Sequence, residues 1–307
     1  MEGYSCLICH NDIAGPTYRV KEMMFGSGEP FAYTQCPQCG TIQQLNPPQN
    51  MSAFYPKAYY SLGGLSLSNV QVRWMKRLRF FLFRKFGLTL FQPVYGKWLR
   101  ILDIEKDQAI ADIGCGNGQL LYELYSSGYR NLSGFDPFME STRSIAPGLR
   151  LYKMELDQIQ GTFHAVMLHH AFEHLPQPDA SFAQLAKILR AGGKLLIRVP
   201  VSDGEAWNEY RENWVQLDAP RHYFIPSVAG MKMLAERHGL ELYHTEFDST
   251  SFQFWASQKY QKGHSLHQSG QDFSPSAEVL KEFEKRAASL NRIQKGDQAA
   301  FYFRKPR

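Results

Sequence analysis

At 307 residues, 44% hydrophobic and 21% charged, the chain has the composition of a globular protein with room for one large domain and a small companion, which excludes the disordered and fibrous classes. Its 34 basic against 29 acidic side chains leave a net charge of +5, short of the concentrated positive field of a dedicated nucleic-acid binder, so nucleic acid is disfavoured as a partner. There is no run of eighteen apolar residues for a transmembrane segment and no basic-then-apolar leader, and a cytoplasmic location is expected.

The chain begins with two C-x2-C units, Cys6-Leu-Ile-Cys9 and Cys36-Pro-Gln-Cys39, with 26 residues between them. Each two-residue gap lets a tight turn aim two thiolates at one ion, and two such turns complete a tetrahedral sulfur site suited to zinc. Residues 1–45 are therefore predicted to be a zinc ribbon, with short strands over Tyr18–Val20 and Phe31–Tyr33. Protein fills all four positions, so the zinc is expected to be structural and His10 a spectator. The spacer carries only Arg19 and Lys21 as basic residues, a poor surface for phosphate.

Residues 46–99 read as a linker. An aromatic stretch around Phe54, Tyr55, Tyr59 and Tyr60 is broken by Gly63-Gly64 and followed by a helix over Val70–Phe86. That helix interleaves Arg73, Lys76, Arg77, Arg79, Arg84 and Lys85 with Trp74, Leu78, Phe81, Leu82 and Phe86. The favoured reading packs its apolar side on the main domain and leaves its basic side in water; membrane-surface contact through 70–86 is the second. Tyr59 and Tyr60 are candidates to roof a ligand site, with plain packing as the alternative.

From residue 100 to 307, apolar runs alternate with helical stretches, the pattern of a doubly wound α/β sheet. Seven strands are expected, at Ala109–Ile113, Leu132–Phe135, Leu149–Met154, Ala165–His169, Lys194–Val199, Leu240–Phe247 and Ala299–Phe303, the last two flanking a long insertion. Helices are expected over 118–127, 179–190, 226–238 and 277–290, the first three stopped by glycine. The loop Asp112-Ile-Gly114-Cys115-Gly116-Asn-Gly118 lies where the first strand meets its helix. Gln119 departs from the dinucleotide fingerprint, and no Gly-Lys-Ser/Thr ending makes it a P-loop. Asp136, 24 residues past Asp112, ends the second strand, where a carboxylate can accept from both hydroxyls of a ribose. An adenosine carrying an amino-acid tail fits this combination.

The segments Asp112-Ile-Gly-Cys-Gly-Asn-Gly, Gly134-Phe-Asp-Pro137-Phe and His170-Ala-Phe-Glu-His174-Leu-Pro-Gln-Pro together resemble the successive motifs of class I S-adenosylmethionine-dependent methyltransferases. The resemblance implies a Rossmann-like methyltransferase sheet joined to the ribbon by the helical linker, with S-adenosylmethionine as cofactor. By it, Asp112, Gly114, Cys115 and Gly116 border the methionine, Asp136 and Pro137 the ribose, Glu155 the adenine, and Leu168-His169 lie beside the cofactor. Cys115 is read as a small filler and not as a nucleophile.

Methyl transfer from a sulfonium is an in-line displacement of an already activated group, so the protein supplies alignment and, for a poor nucleophile, a base. His222, in the loop Asp218-Ala-Pro-Arg221-His222-Tyr after the fifth strand, is the first candidate, with Arg221 or Asp218 to orient a substrate. The ribbon, the Tyr-rich linker and this loop resemble sugar methyltransferases. The implied activity is O-methylation of a sugar or glycan precursor, a small molecule or one linked to a nucleotide or lipid. The loop lacks the tyrosine and glutamate typical of enzymes that methylate carbon of nucleotide-linked keto-sugars, which leaves C-methylation as an alternative. A further alternative is methylation of RNA or protein with the ribbon as a grip. Ser251–Tyr260 resembles, more loosely, a segment of polysaccharide-pathway enzymes whose aromatic residues could stack on a sugar, with core packing as the default.

Overall fold

The computed structural model describes residues 4–55, 63–267 and 275–307. Tyr59 and Tyr60 lie outside the described residues. At the N-terminus β1 (Tyr4–Ser5) pairs with β2 (Asp12–Ile13), and β3 (Thr17–Lys21), β4 (Pro30–Gln35) and β5 (Ile42–Leu45) form an antiparallel meander. Helix α1 (Val70–Phe86) has the predicted bounds; Asn69 caps its start and Gly87, left-handed at φ +66°, ends it. It buries only Phe80 and Phe83, while Trp74, Met75, Leu78, Phe81 and Phe86 stay exposed, so the expected packing of its apolar side is confined to one narrow stripe. No helix of the described residues is long and apolar enough to cross a membrane.

After α2 (Gly96–Leu102) come β6 (Ile110–Ile113), α3 (Gln119–Ser126), β7 (Leu132–Phe135), β8 (Arg143–Ala146), β9 (Leu149–Tyr152), β10 (Phe163–His169), α4 (Pro178–Ile188) and β11 (Leu189–Pro200). They are followed by α5 (Glu205–Tyr210), β12 (Phe224–Ile225), α6 (Val228–Arg237), β13 (Glu241–Phe247), α7 (Phe252–Gln261), α8 (Ala277–Arg292) and β14 (Gln298–Arg304). The main sheet runs β13-β14-β11-β10-β6-β7-β9-β8; β14 is antiparallel to both neighbours, and the strands from β11 to β9 are parallel.

All seven expected strands are present, and β8 is an eighth. It folds back on β9 through Pro147-Gly148, where Gly148 sits at φ +83° and a Cβ would fall 2.0 Å from the Arg130 carbonyl oxygen. Helix α4 stops two residues before its expected end. The chain from Leu189 is already extended, and a bulge at 190–193 is held by the Gly192 N–H on the Lys305 carbonyl at 3.0 Å.

Side-chain alternation along the central strands divides the core in two. Ala165 and Met167 face α1, α2 and α3, whereas Val166 and Leu168 face α4 and α6. The 50 residues between β13 and β14 hold α7 and α8, whose Phe254, Ala256, Tyr260 and Ala287 pack with α5 against Tyr33 and Ile42 of the ribbon. The aromatic residues of α7 are thus chiefly core.

The ribbon is not a separate bead. Strand β12, which directly follows the His222 loop, pairs antiparallel with β5 and extends the N-terminal sheet to four strands. Tyr33 donates its hydroxyl to the His222 carbonyl at 2.9 Å, Ser202 donates to the Gly40 carbonyl at 2.8 Å, and Ser227 donates to the Cys39 carbonyl. The region after β11 is therefore braced by the four-cysteine module.

Candidate active site

The parallel order reverses between β6 and β10, the crevice where doubly wound folds place ligands. Here β6 runs into a loop in which Gly114, Gly116 and Gly118 have φ of +70°, +54° and +84°. Gly114 is required twice over, since a Cβ there would also stand 2.5 Å from the Ala171 Cβ. The loop is tied to β7: Gly114 and Cys115 donate their N–H to the Phe135 carbonyl at 2.8 and 3.3 Å, and Gly116 donates to Asp136 Oδ2 at 2.9 Å. Asp136 Oδ1 accepts from the Phe138 N–H at 2.9 Å across Pro137, so each oxygen is fixed by one backbone donor and keeps acceptor capacity. Burial and the charge of Asp136 push Asp112 up to about 8. Cys115 is half-buried against Gly134, its thiol pushed up by burial and by Asp112 and Asp136, as suits a filler.

Glu155 lies exposed past the end of β9, where it and Gln158 cap the turn 156–158 reciprocally. Burial, Asp157 and Asp136 raise its carboxyl. The linker closes the crevice from outside. Asn117 donates to the Gly63 carbonyl at 3.0 Å, the Ser66 N–H donates to Gln119 at 2.9 Å, and Tyr55 stacks on Phe138 at 5.5 Å.

At the end of β10, Leu168 is buried in the core, and the next two residues face opposite sides. His169 borders a cleft of about 460 Å³ whose other walls include Lys76, Arg79, Tyr95, Trp98 and Arg198. Its ring lies 4.3 Å from that of Trp98, and neither ring nitrogen has a hydrogen-bond partner among the described residues. Burial, then Arg198 and His170, lower it to about 3. A neutral histidine with a depressed pKa makes folding acid-sensitive: the unfolded chain takes up this proton below its ordinary 6.5 and the folded chain not until about 3. Stability is expected to fall through this window as pH drops, by at most about 1.4 kcal/mol per pH unit from this group. Melting temperatures at pH 7 and pH 5 should therefore differ less in His169→Gln than in the wild type, and equal differences would refute the assignment.

On the other side a cleft of about 240 Å³ is lined by His170, His174, Gln216, Asp218, His222 and Tyr260 among others. His222 is 5% exposed; its Nδ1 donates to the Gln216 carbonyl at 2.7 Å, which in the neutral ring places the lone pair on Nε2. Nε2 faces Asp218 Oδ2 at 3.9 Å and Glu173 Oε1 at 4.0 Å. Arg221, expected to orient a substrate, is instead turned into the protein interior. Fully buried, it donates to both oxygens of Asp218, to Glu22 at 2.9 Å and to the Phe54 carbonyl at 3.2 Å, a clasp between ribbon, linker and His222 loop. Asp218 is correspondingly committed to Arg221. No local pattern marks Trp98 or Arg198, and neither the aromatic stretch that holds Tyr55 nor the motif that holds Glu173 signals a role for those two side chains.

The four cysteines converge. Cys6 and Cys39 Sγ are 3.6 Å apart, as are Cys9 and Cys36, and the four sulfurs lie within 4.8 Å of one another.

This parallel sheet with its antiparallel penultimate strand, the glycine loop and the acid at the end of β7 define an S-adenosylmethionine-dependent methyltransferase. Residues 86–245, just over half of the chain, match the family model described as a methyltransferase domain, and the chain belongs to that family. The tRNA U34 carboxymethyltransferase of Aliarcobacter butzleri (strain RM4018) is 29% identical over 146 residues, covering 44% of this chain and 48% of that protein. The protein of the same name from Actinobacillus succinogenes (strain ATCC 55618 / DSM 22257 / CCUG 43843 / 130Z) is 30% identical over 153 residues, 43% of this chain and 46% of its own. The chain thus spans about half the length of these curated relatives. Among solved structures, a SAM dependent methyltransferase from Archaeoglobus fulgidus is similar at a TM-score of 0.44 and 18% identity, over 69% of this chain and 93% of its own. The names of the curated relatives overturn two expectations from the sequence, the sugar or glycan acceptor and the disfavouring of nucleic acid. The low net charge misled because charge summed over a chain does not report its local placement.

Proposed function

We propose that this methyltransferase acts on RNA. The observation that carries the reading is the similarity of its donor-binding half to proteins named for tRNA U34. The surface is compatible with it. Exposed Arg77 and Lys85 share α1 with exposed Trp74 and Phe81, Lys85 lies 5.3 Å from the centre of the Phe81 ring, and Lys76 and Arg79 continue into the walls of the larger cleft. Basic side chains interleaved with aromatic ones suit a phosphate backbone and its unstacked bases.

Within this reading Gly114 and Gly116 border the methionine, the remaining lone pairs of Asp136 take the ribose hydroxyls, Glu155 stands at the adenine side, and Leu168-His169 lie beside the cofactor. His222 faces the acceptor with its Nε2 lone pair. Cys6, Cys9, Cys36 and Cys39 hold a structural zinc: sulfurs at about 2.3 Å from a tetrahedral ion stand about 3.8 Å apart, close to the 3.6 Å found and far beyond a disulfide. The residues fit the ion, which would tie β1, β2 and the β3–β5 meander together.

The test is transfer of a tritiated methyl group from S-adenosylmethionine to total RNA by the full chain. Nuclease-sensitive, acid-insoluble label is expected, reduced about ten-fold in the double variant Arg77→Glu, Lys85→Glu together with a shallower salt dependence. Cofactor binding with no label in RNA would refute the acceptor class and leave the family assignment standing.

A further inference from the structure

We propose that Glu173, His174 and His222 form a second metal site, distinct from the cysteine module, for a divalent transition cation of nitrogen and oxygen preference such as Mn²⁺. The three side chains each offer a ligand atom within 4.8 Å of the others. Glu173 is fully buried, and neither carboxylate oxygen accepts a hydrogen bond among the described residues. His170 Nδ1 stands 3.4 Å from Oε1, an ion-pair distance without hydrogen-bond geometry. A carboxylate taken out of water with both oxygens unsatisfied is costly unless a cation completes it.

The histidines are set for that task. His222 Nδ1 lies 2.7 Å from the Gln216 carbonyl and His174 Nδ1 lies 3.0 Å from the Arg221 carbonyl. A carbonyl only accepts, so each Nδ1 carries the proton, and in the neutral ring that binds a cation each Nε2 offers its lone pair. Imidazoles anchored through the far nitrogen to a backbone carbonyl are the usual outer support of a metal ligand. Tyr55 adds a hydroxyl at 3.0 Å from His174 Nδ1. Two imidazoles and one carboxylate favour Mn²⁺, Fe²⁺, Co²⁺ or Zn²⁺ over Mg²⁺ and Ca²⁺, which prefer oxygen throughout.

Three protein ligands leave positions open, and the site borders the 240 Å³ cleft where an acceptor can enter. Tyr55 joins this cleft to the donor crevice, stacking on Phe138 beyond Asp136 while its hydroxyl reaches His174. A hydroxyl or water bound to the cation there would lose its proton more readily than in bulk. The Nε2 of His222 would then be a ligand, and the cation would assume the work otherwise left to a lone base. The site does not depend on the class of acceptor.

The experiment is a titration of the full-length, zinc-loaded protein with Mn²⁺, followed by the loss of the free-ion paramagnetic resonance signal. Thiolates that already hold zinc offer little to this harder ion. One saturable Mn²⁺ per chain is expected, with affinity at least ten-fold weaker in Glu173→Gln and in His174→Gln, each checked for retained zinc and S-adenosylmethionine binding. Absence of saturable binding to the wild type, or binding unchanged in both variants, would overturn the proposal. Because no acceptor is present, neither outcome bears on RNA as substrate.

Discussion

Replacing Asp136 by alanine is expected to weaken S-adenosylmethionine binding by about 100-fold or more, read by calorimetry on the purified protein. Two effects add. Hydrogen bonds from the ribose hydroxyls to an ionised carboxylate contribute roughly 1.5–3 kcal/mol each, and both would be lost. The same carboxylate holds the Gly116 and Phe138 N–H groups, each at 2.9 Å, so its removal also frees the glycine loop proposed to border the methionine. Asp136→Asn separates the two. Its amide has one acceptor oxygen, so it can satisfy one of those backbone donors but not both, and a loss between wild type and alanine is expected. Binding within three-fold of wild type in Asp136→Ala would show that the ribose sits elsewhere.

The second large effect is expected at the cysteine module, where Cys39→Ser should abolish stoichiometric zinc, lower the melting temperature and reduce methyl transfer about 100-fold or more, with a much smaller change in cofactor affinity. A structural zinc site contributes folding free energy outright, on the order of 10 kcal/mol or more in isolated modules. The consequence for transfer follows from connectivity. Strand β12 is hydrogen-bonded to β5, the His222 carbonyl accepts from Tyr33, and Arg221 clasps Glu22 of the ribbon, so a melted module releases the loop that carries His222. Asp136 and the glycine loop are tied to β7 and keep their local bonds. Removing zinc with a chelator should reproduce the variant; a chelated protein with unchanged melting and transfer would contradict a bracing role.

The clasp around Arg221 has an energetic side. Its guanidinium is fully buried, and burial acts against its charge while Asp218 and Glu22 more than restore it, holding it above the usual arginine range. Loss of one partner from such a pair leaves an uncompensated buried charge, which makes the module and the loop fold together or not at all.

Much of the frame was legible in the amino-acid order because its signals are local. The double C-x2-C spacing, the helix from Val70 to Phe86, the seven strands, and the glycine loop with Asp136 at the next strand end all depend on residues close in sequence, through period, capping and positive φ. The turn signal Pro147-Gly148 alone marks β8, whose strand is short and lies at an edge and so carries no clear period. Helix α7 was hidden for another reason: its aromatic residues are buried on several sides between α5 and α8, so no single apolar stripe betrays a helix.

The acceptor side was decided by tertiary structure. Tyr33 reaches His222 across 189 positions and Arg221 reaches Glu22 across 199, and neither contact leaves a periodic trace in the chain. Arg221 therefore read as a hand for substrate when it is a buried clasp, and the +5 of the whole chain said nothing about where α1 would present its cations. The sequence by itself determined the local elements, the double C-x2-C turns, the helix over Val70–Phe86, the seven strands and the glycine loop followed by Asp136. The meeting of Glu173 and His174 with His222, and the joining of the ribbon to the loop that carries it, were set only by the packing of distant segments, because burial and charge pairing act through space and not along the chain.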